Sequence, residues 1–255
     1  MYAEERRQAI ADLIRQRGRM SVNELAEAYT ITTETVRRDL SMLERAGIIR
    51  RVHGGAVPSE ALRVLETAVD DRDLAQADQK DRIAKAAIDQ LPGPGGSILL
   101  DAGTTTSRLA THLPRDLRLT VVTNAVPIAS RLAGLPSVDL HLLPGRVRRT
   151  TQAAVGEETV SALSVLRIDT VFGGTNGIDA DHGLTTPDHS EAAAKRAMVR
   201  AGRRVVVLAD SSKLGRELAV RFATLGDVDT LVTDSGISNQ VLAELRAADV
   251  EVVVA

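Results

Sequence analysis

The stretch "DAGTTTSRLA", residues 101–110, follows the apolar run "SILL" and leads into a helical pattern. Its residue types suit the holding of an anion. Gly103 is expected to let the backbone turn sharply, the free amides of the next helix point outward, and Thr104, Thr105 and Thr106 add hydroxyls. A threonine-capped strand-to-helix turn would carry the same letters. Other apolar runs tip the balance. "VVTNA" ends in Thr123 and Asn124, "LLPGR" in Gly145 and Arg146, "FGGTNGI" in Gly173, Gly174, Thr175, Asn176 and Gly177, and "VLADSSK" in Asp210 and Lys213. With Asp101 these exits describe a pocket for a small hydroxylated anion, best a sugar phosphate. Glu191 and Lys195, one helical turn apart, are expected to pair with each other or touch ligand hydroxyls.

A second concentration of polar chemistry lies near the N-terminus. "TETVRRDLSMLERAG" is long enough for a recognition helix in a major groove, and it offers Thr33, Glu34, Thr35, Arg37 and Arg38 on its polar face. Arginine reads guanine or grips phosphate, and threonine meets a thymine methyl or a phosphate. Arg50, Arg51 and His53 follow on a short hairpin around Gly54-Gly55, and Ser21, before the second helix, is a further candidate DNA contact.

The elements that must position these residues fall into two parts. Residues 1–57 read as three helices and a two-stranded wing. Ala9, Ile10, Leu13 and Ile14 share one face of the first helix, which Gly18 ends. Ser21 and Glu24 form a capping box for the second, which buries Val22, Leu25, Ala26 and Tyr29. Thr33 is expected to cap the third, with Val36, Leu40 and Leu43 inward and Gly47 at its end. Residues 58–80 read as a polar linker. In residues 81–255, seven apolar runs from "SILLD" to "VEVVVA" alternate with helical stretches. The expected fold is therefore a small winged helix-turn-helix domain followed by an α/β domain with a mostly parallel sheet.

Composition narrows the function classes. The chain has 255 residues and no cysteine, which excludes disulfides, thiolate metal sites and cysteine nucleophiles. Aromatics make up 2%, so base-stacking platforms for single strands are not expected. There is no signal-peptide core and no apolar run of membrane length, so a cytoplasmic protein without membrane contact is expected. Residues 1–57 carry ten Arg and eight acids, a mild positive excess in a chain of net charge -2. No metal and no cofactor are expected.

"SVNELAEAYTITTETVRRDLSMLERAGIIRRVHGGA" resembles the DeoR-type bacterial repressors, which carry Ser-Val-x-x-Leu-Ala, Thr-[Val/Ile]-Arg-Arg-Asp-Leu and Arg-x-His-Gly-Gly-Ala at this spacing. The resemblance spans residues 6–57 in these blocks and continues to the end of the chain. It implies that Arg37 and Arg38 contact groove and phosphate, that Asp39 orients one arginine, and that His53 to Gly55 turn the wing. It also implies a homo-oligomer, dimer or tetramer, on double-stranded operator DNA.

The family's sensor domain is similar to ribose-5-phosphate isomerase, whose phosphate loop is matched by Gly103 to Thr106 and whose Ala-Asp-x-Ser-Lys segment is matched by Ala209, Asp210, Ser212 and Lys213. The isomerase's acidic Asp-Gly-Ala-Asp segment is replaced by "GGTN" and its Lys-Gly-Gly-Gly segment by "HGLTTPD", and Ala194 and Lys195 stand near its expected glutamate. Proton abstraction needs a base in reach, so the phosphate grip is kept without the proton shuttle. The function implied is repression of a sugar-catabolism or phosphotransferase operon, fructose first and the lactose or tagatose type behind it, relieved by a phosphorylated sugar. The alternatives are an isomerase-like enzyme with an appended DNA-binding module, and a winged helix that binds protein. Many family members have Pro-Gly-Gly where this chain has Pro144-Gly145-Arg146, so Arg146 is expected to reach the phosphate or mark a sugar subgroup.

Replacing Arg37 and Arg38 together by alanine is expected to weaken operator binding roughly ten- to a hundredfold. The slope of log affinity against log salt should flatten by about 0.9 for each phosphate that is no longer neutralised. Anisotropy titrations across a salt series measure both, and unchanged affinity would favour the protein-binding reading.

Overall fold

The computed structural model describes residues 3–17, 20–45, 48–52, 54–58 and 69–255. Gly18, Gly47 and His53 lie outside the described residues, as do the side chains of Arg50 and Arg51. The chain divides into two compact units, Met1–Glu66 and Thr67–Ala255.

The first unit runs α1 (Ala3–Arg17), β1 (Met20–Ser21), α2 (Val22–Tyr29), α3 (Thr33–Arg45), β2 (Ile49–Val52) and β3 (Gly55–Pro58). Its core joins Ile10, Ile14, Leu25, Val36, Leu40 and Leu43, so the helical apolar spacing is what packs the unit. The capping box forms in both directions: the Ser21 amide donates to Glu24 Oε2 at 2.7 Å and the Glu24 amide to Ser21 Oγ at 3.1 Å. The third helix is capped one residue earlier than expected. Thr32 Oγ1, not that of Thr33, accepts the Thr35 amide at 3.2 Å. The left-handed Thr30, at φ 51°, ends α2 and leaves Thr32 as the last residue before α3. The wing is also larger than a hairpin, because β1 pairs with β3 and makes a three-stranded antiparallel sheet. A Cβ on Gly55 would stand 2.2 Å from the Met20 carbonyl, so only glycine admits that third strand. Asp39 does take an arginine, but from α1: Arg6 Nε lies 2.7 Å from its carboxylate and ties α1 to α3.

The second unit begins with α4 (Val69–Leu74) and α5 (Ala77–Ala86), so much of the stretch read as linker is helical. Then follow β4 (Ser97–Leu100), α6 (Thr104–His112), β5 (Leu119–Thr123), α7 (Val126–Leu132), β6 (Val138–Leu142), β7 (Arg146–Val147), β8 (Ala154–Val155) and α8 (Glu157–Ser164). The chain continues through β9 (Ile168–Gly174), β10 (Gly177–Asp179), β11 (Gly183–Thr186), α9 (His189–Ala201), β12 (Gly202–Leu208) and β13 (Val220–Ala223). It closes with β14 (Thr230–Thr233), α10 (Asn239–Ala247) and β15 (Glu251–Val254).

All seven apolar runs become strands of one parallel sheet, in the order β15-β14-β12-β9-β4-β5-β6. Antiparallel strand pairs of this unit form the β7-β8 hairpin and the small β10-β11-β13 sheet, with an isolated antiparallel bridge between Ala125 and Ala153. The runs are continuous because both sheet faces are covered. Ile98, Leu100, Val121, Phe172, Val206 and Val232 pack on one face, while Leu99, Val122, Val171, Val205, Val207 and Leu231 pack on the other. The winding reverses between β4 and β9: the chain builds outward from β4 through β5 to β6, then from β9 through β12 and β14 to β15. Such a reversal opens a crevice at the carboxyl ends of the two central strands. Among the described residues no helix is long and apolar enough to cross a membrane.

Phe172 is fully buried between Leu100 and Val206 in register across the central strands. Phe172→Ala is expected to destabilise the second unit by about 3–5 kcal/mol. The measurement is the urea midpoint of that unit's transition by circular dichroism.

Candidate effector site

The crevice at the β4-β9 reversal holds the Asp101–Ala110 stretch. Gly103 has φ 177°, extended backbone open to any residue, so the turn here does not call on glycine's conformational freedom. Its missing side chain matters through space: a Cβ would lie 3.1 Å from Thr106 Oγ1. The hydroxyl of Thr106 is buried and donates back to the Gly103 carbonyl at 3.0 Å, so it braces the turn. The Ser107 amide makes the first bond of the helix ladder, to Gly103 O at 2.9 Å. The amides of Thr104, Thr105 and Thr106 precede that ladder, where a helix leaves its donors free. Among the described residues the hydroxyls of Thr104 and Thr105 have no protein partner, and both residues line a cavity of about 230 Å³.

Beneath this turn lies a buried network. Asp101 Oδ2 accepts the Gly174 amide at 3.0 Å and the ammonium of Lys195. Lys195 also donates to the Gly174 carbonyl at 2.9 Å and stands 5.5 Å from the centre of the Phe222 ring. Glu191 does not pair with Lys195. Its carboxylate lies 2.5 Å from the guanidinium of Arg148 and accepts Thr186 Oγ1 at 3.4 Å. The two residues share a helix face, yet each finds a stronger partner across the crevice: Lys195 the carboxylate after β4, and Glu191 the arginine after β7. Thr186 also donates to Asn176 Oδ1 at 3.1 Å, which turns that side chain along the cavity wall.

At the β12 exit Asp210 Oδ1 accepts the Ser212 amide at 3.1 Å and the Ser212 hydroxyl, holding a short 3-10 turn, Ser211–Lys213. Asp234 anchors the same turn through the Ser211 amide at 2.7 Å. Burial alone would raise its carboxyl, but hydrogen bonds from Ser211 and Gly236 outweigh that and hold it below the usual carboxylate range. Burial pushes the Lys213 ammonium below the ordinary lysine value, opposed by Asp210 and reinforced by repulsion from Arg216 and Arg72.

The cavity wall therefore contains the expected Gly103, Thr104, Thr105, Thr106, Gly174, Asn176, Glu191, Lys195, Asp210 and Lys213. Asp101 lies just below it. Other expected residues support the site without lining it. Thr123 Oγ1 donates to Leu100 O at 2.7 Å, and Asn124 spans from the Ala102 amide to the Ala154 carbonyl at 3.1 and 3.0 Å. Gly145, at φ 137°, makes a turn against Thr159, where a Cβ would meet Oγ1 at 2.3 Å. Gly177 passes Arg216, whose carbonyl a Cβ would meet at 2.4 Å. Arg146 is exposed on β7 and is not part of the wall, so it is not the cation expected at the phosphate.

Thr175, named with the exit of "FGGTNGI", also lines the wall, whereas Arg72 and Lys80, hidden in the supposed linker, and Thr151 escaped the sequence reading. Thr151 Oγ1 is buried without a hydrogen-bond partner. The signal available was "RRTT", residues 148–151, just past the expected strand exit.

In the first unit Arg37 and Arg38 are exposed on α3, opposite buried Val36 and Leu40, and Arg37 makes only a loose 3.7 Å contact to Glu34. Thr33 and Thr35 sit at the start of the same helix, while Ser21 serves as the cap of α2. Arg50 and Arg51 fall on β2.

Comparison with known proteins places both units. Residues 6–61 match the DeoR-like helix-turn-helix domain, and residues 75–235 match the DeoR C terminal sensor domain. The chain is 33% identical to a putative aga operon transcriptional repressor of Escherichia coli O157:H7, over 98% of this chain and 93% of that one. It is 34% identical to the glycerol-3-phosphate regulon repressor of Escherichia coli K12, over 92% of each. Of solved structures, ribose 5-phosphate isomerase A from Methanocaldococcus jannaschii aligns over 55% of each chain at 18% identity with a TM-score of 0.41, too distant to bear on chemistry. With an exposed arginine pair on its third helix and a sensor domain behind it, the chain belongs to the DeoR family and is a DNA-binding transcriptional repressor, not an enzyme.

Proposed function

We propose that this repressor controls a sugar-catabolism or phosphotransferase operon and leaves its operator when a phosphorylated sugar fills the cavity at the β4-β9 reversal. The observation that carries this reading is the start of α6: amides ahead of the helix ladder and two unpartnered threonine hydroxyls open into the cavity beside Lys213. Such a helix terminus favours an anion through both its donors and its dipole. The opposite wall, with Glu191, Asn176 and Thr151, suits the hydroxyls of a sugar. A volume of about 230 Å³ falls below the ~300–1,000 Å³ of pockets for drug-sized ligands. That suits a small metabolite.

Fructose 1-phosphate is the first candidate, with tagatose or galactose 6-phosphate behind it. Among similar proteins are regulators named for the aga operon, for glycerol 3-phosphate and, at 35% identity in Bacillus subtilis, FruR. A cytoplasmic homodimer or tetramer would set two recognition helices one turn of DNA apart on a two-fold operator. Effector and operator then compete through the protein's two states, with coupling of about 1–3 kcal/mol, or roughly five- to 150-fold.

Anisotropy on DNA from upstream of the chain's own gene should show binding that a sugar phosphate weakens and the free sugar does not. Insensitivity to every phosphorylated sugar would sink the sensor reading. Lys213→Gln is expected to raise the sugar-phosphate concentration for half-release about ten- to a hundredfold, the scale of one charged hydrogen bond.

A further inference from the structure

The cavity carries more positive charge than its own carboxylates neutralise. Two of its acidic groups are already paired, Asp101 with Lys195 and Glu191 with Arg148, which also meets Asp188, outside the wall, at 3.4 Å. Among the described residues Arg72, Lys80 and Lys213 make no ion pair, and Asp210 is the remaining carboxylate on the wall. Three cations against one anion leave an excess of two positive charges. A phosphate monoester carries about that charge with opposite sign.

Two of the three cations come from the α4-α5 segment, not from a strand end. Lys80 is buried on α5 and spends its ammonium on carbonyls, that of Arg72 and, at 2.6 Å, that of Ala75. It thereby clamps the end of α4 and the α4-α5 turn over the cavity while keeping its charge there. Burial lowers its affinity for a proton, so an anion nearby would be stabilising. Arg72 faces the same space with Nε buried and without a hydrogen-bond partner. Asp73, the next residue, pairs with Arg108 of α6 at 3.0 Å, which joins α4 to the helix whose start faces the anion.

Building on the sensor reading, we infer that Arg72 is a direct ligand of the effector's phosphate, opposite the start of α6, and that occupancy locks the α4-α5 segment onto the sensor sheet. An unsatisfied guanidinium donor gains a charge-assisted partner, and the excess charge is neutralised only when both sides meet one anion. α4 is the first described element of the second unit, so the chain from the DNA-binding unit enters through the segment that the phosphate holds. Ligand chemistry is thereby written directly onto the covalent connection between the two units.

The test uses the full chain with inorganic phosphate and fructose 1-phosphate as probes. Calorimetry should show both binding to the wild type and about ten- to a hundredfold weaker binding to Arg72→Gln. Arg72→Lys keeps the charge without Nε and should lose part of that affinity, which guards against a glutamine variant that fails to fold. Hydrogen exchange across residues 69–80 should slow with phosphate in the wild type and not in Arg72→Gln. Equal affinity in wild type and both variants, or binding without slower exchange across 69–80, overturns the inference and leaves the sensor reading standing. Failure of the wild type to bind either probe overturns both.

Discussion

The carboxylate of Asp101 stands where the parallel sheet reverses its winding, and the site is arranged around it. A reversal leaves two central strands with diverging exits, and without a tie between them the crevice has no defined floor. Asp101 supplies the tie from the end of β4 by taking the Gly174 amide of β9 and the ammonium of Lys195 from α9. Each charge sits in a nearly solvent-free place, where an unpaired one would be costly, so loss of either partner would strand the other. The pair fixes the relative position of three elements, and Gly103 and the start of α6 follow immediately from it.

Charge then divides the cavity into two ends with different tasks. Where Glu191 meets Arg148 and Asn176 meets Thr186, acids, amides and hydroxyls are mutually satisfied yet retain lone pairs and donors for sugar hydroxyls. Where Lys80, Lys213 and Arg72 gather, Asp210 is the one carboxylate on the wall not already paired, and positive charge is left in excess. Burial lowers the proton affinity of Lys80 and Lys213 although Asp210 opposes it, and the dianion of the proposed effector would remove that cost. On the proposed function, discrimination between a phosphorylated and a free sugar needs no dedicated filter, because the neutral sugar would leave the cationic end unsatisfied.

Much of this was legible in the residues because the signals were local. The seven apolar runs are continuous, which only a sheet covered on both faces requires, and each becomes a parallel strand. Ser21 and Glu24 specify a capping box by spacing alone. What escaped depended on partners distant in sequence. Glu191 and Lys195 are neighbours on one helix, but partners from the end of β4 and the loop after β7 outcompete the local pair. Arg146 is exposed on β7, while Arg148, past the end of that strand, begins a turn, closed by the Gln152 amide on its carbonyl at 2.8 Å, that directs its side chain towards Glu191. The polar density of residues 58–80 suggested a linker, whereas Arg72 and Lys80 are charged because they face a cavity.

The same contrast between paired and unpaired cations runs through the DNA-binding unit. Arg6 is spent on Asp39, buried where α1 crosses α3, and serves the packing of the recognition helix. Arg37 and Arg38, two positions along that helix's polar face, are left exposed, and the contact of Arg37 to Glu34 is long enough for phosphate to displace at little cost. Arg6 and Arg148 thus have close carboxylate partners, whereas Arg37 has only the loose contact to Glu34 and Arg72 makes no ion pair among the described residues. On the proposed function, in which a phosphorylated sugar displaces operator DNA, this separation is needed, because a cation already committed to the fold would respond to neither anion.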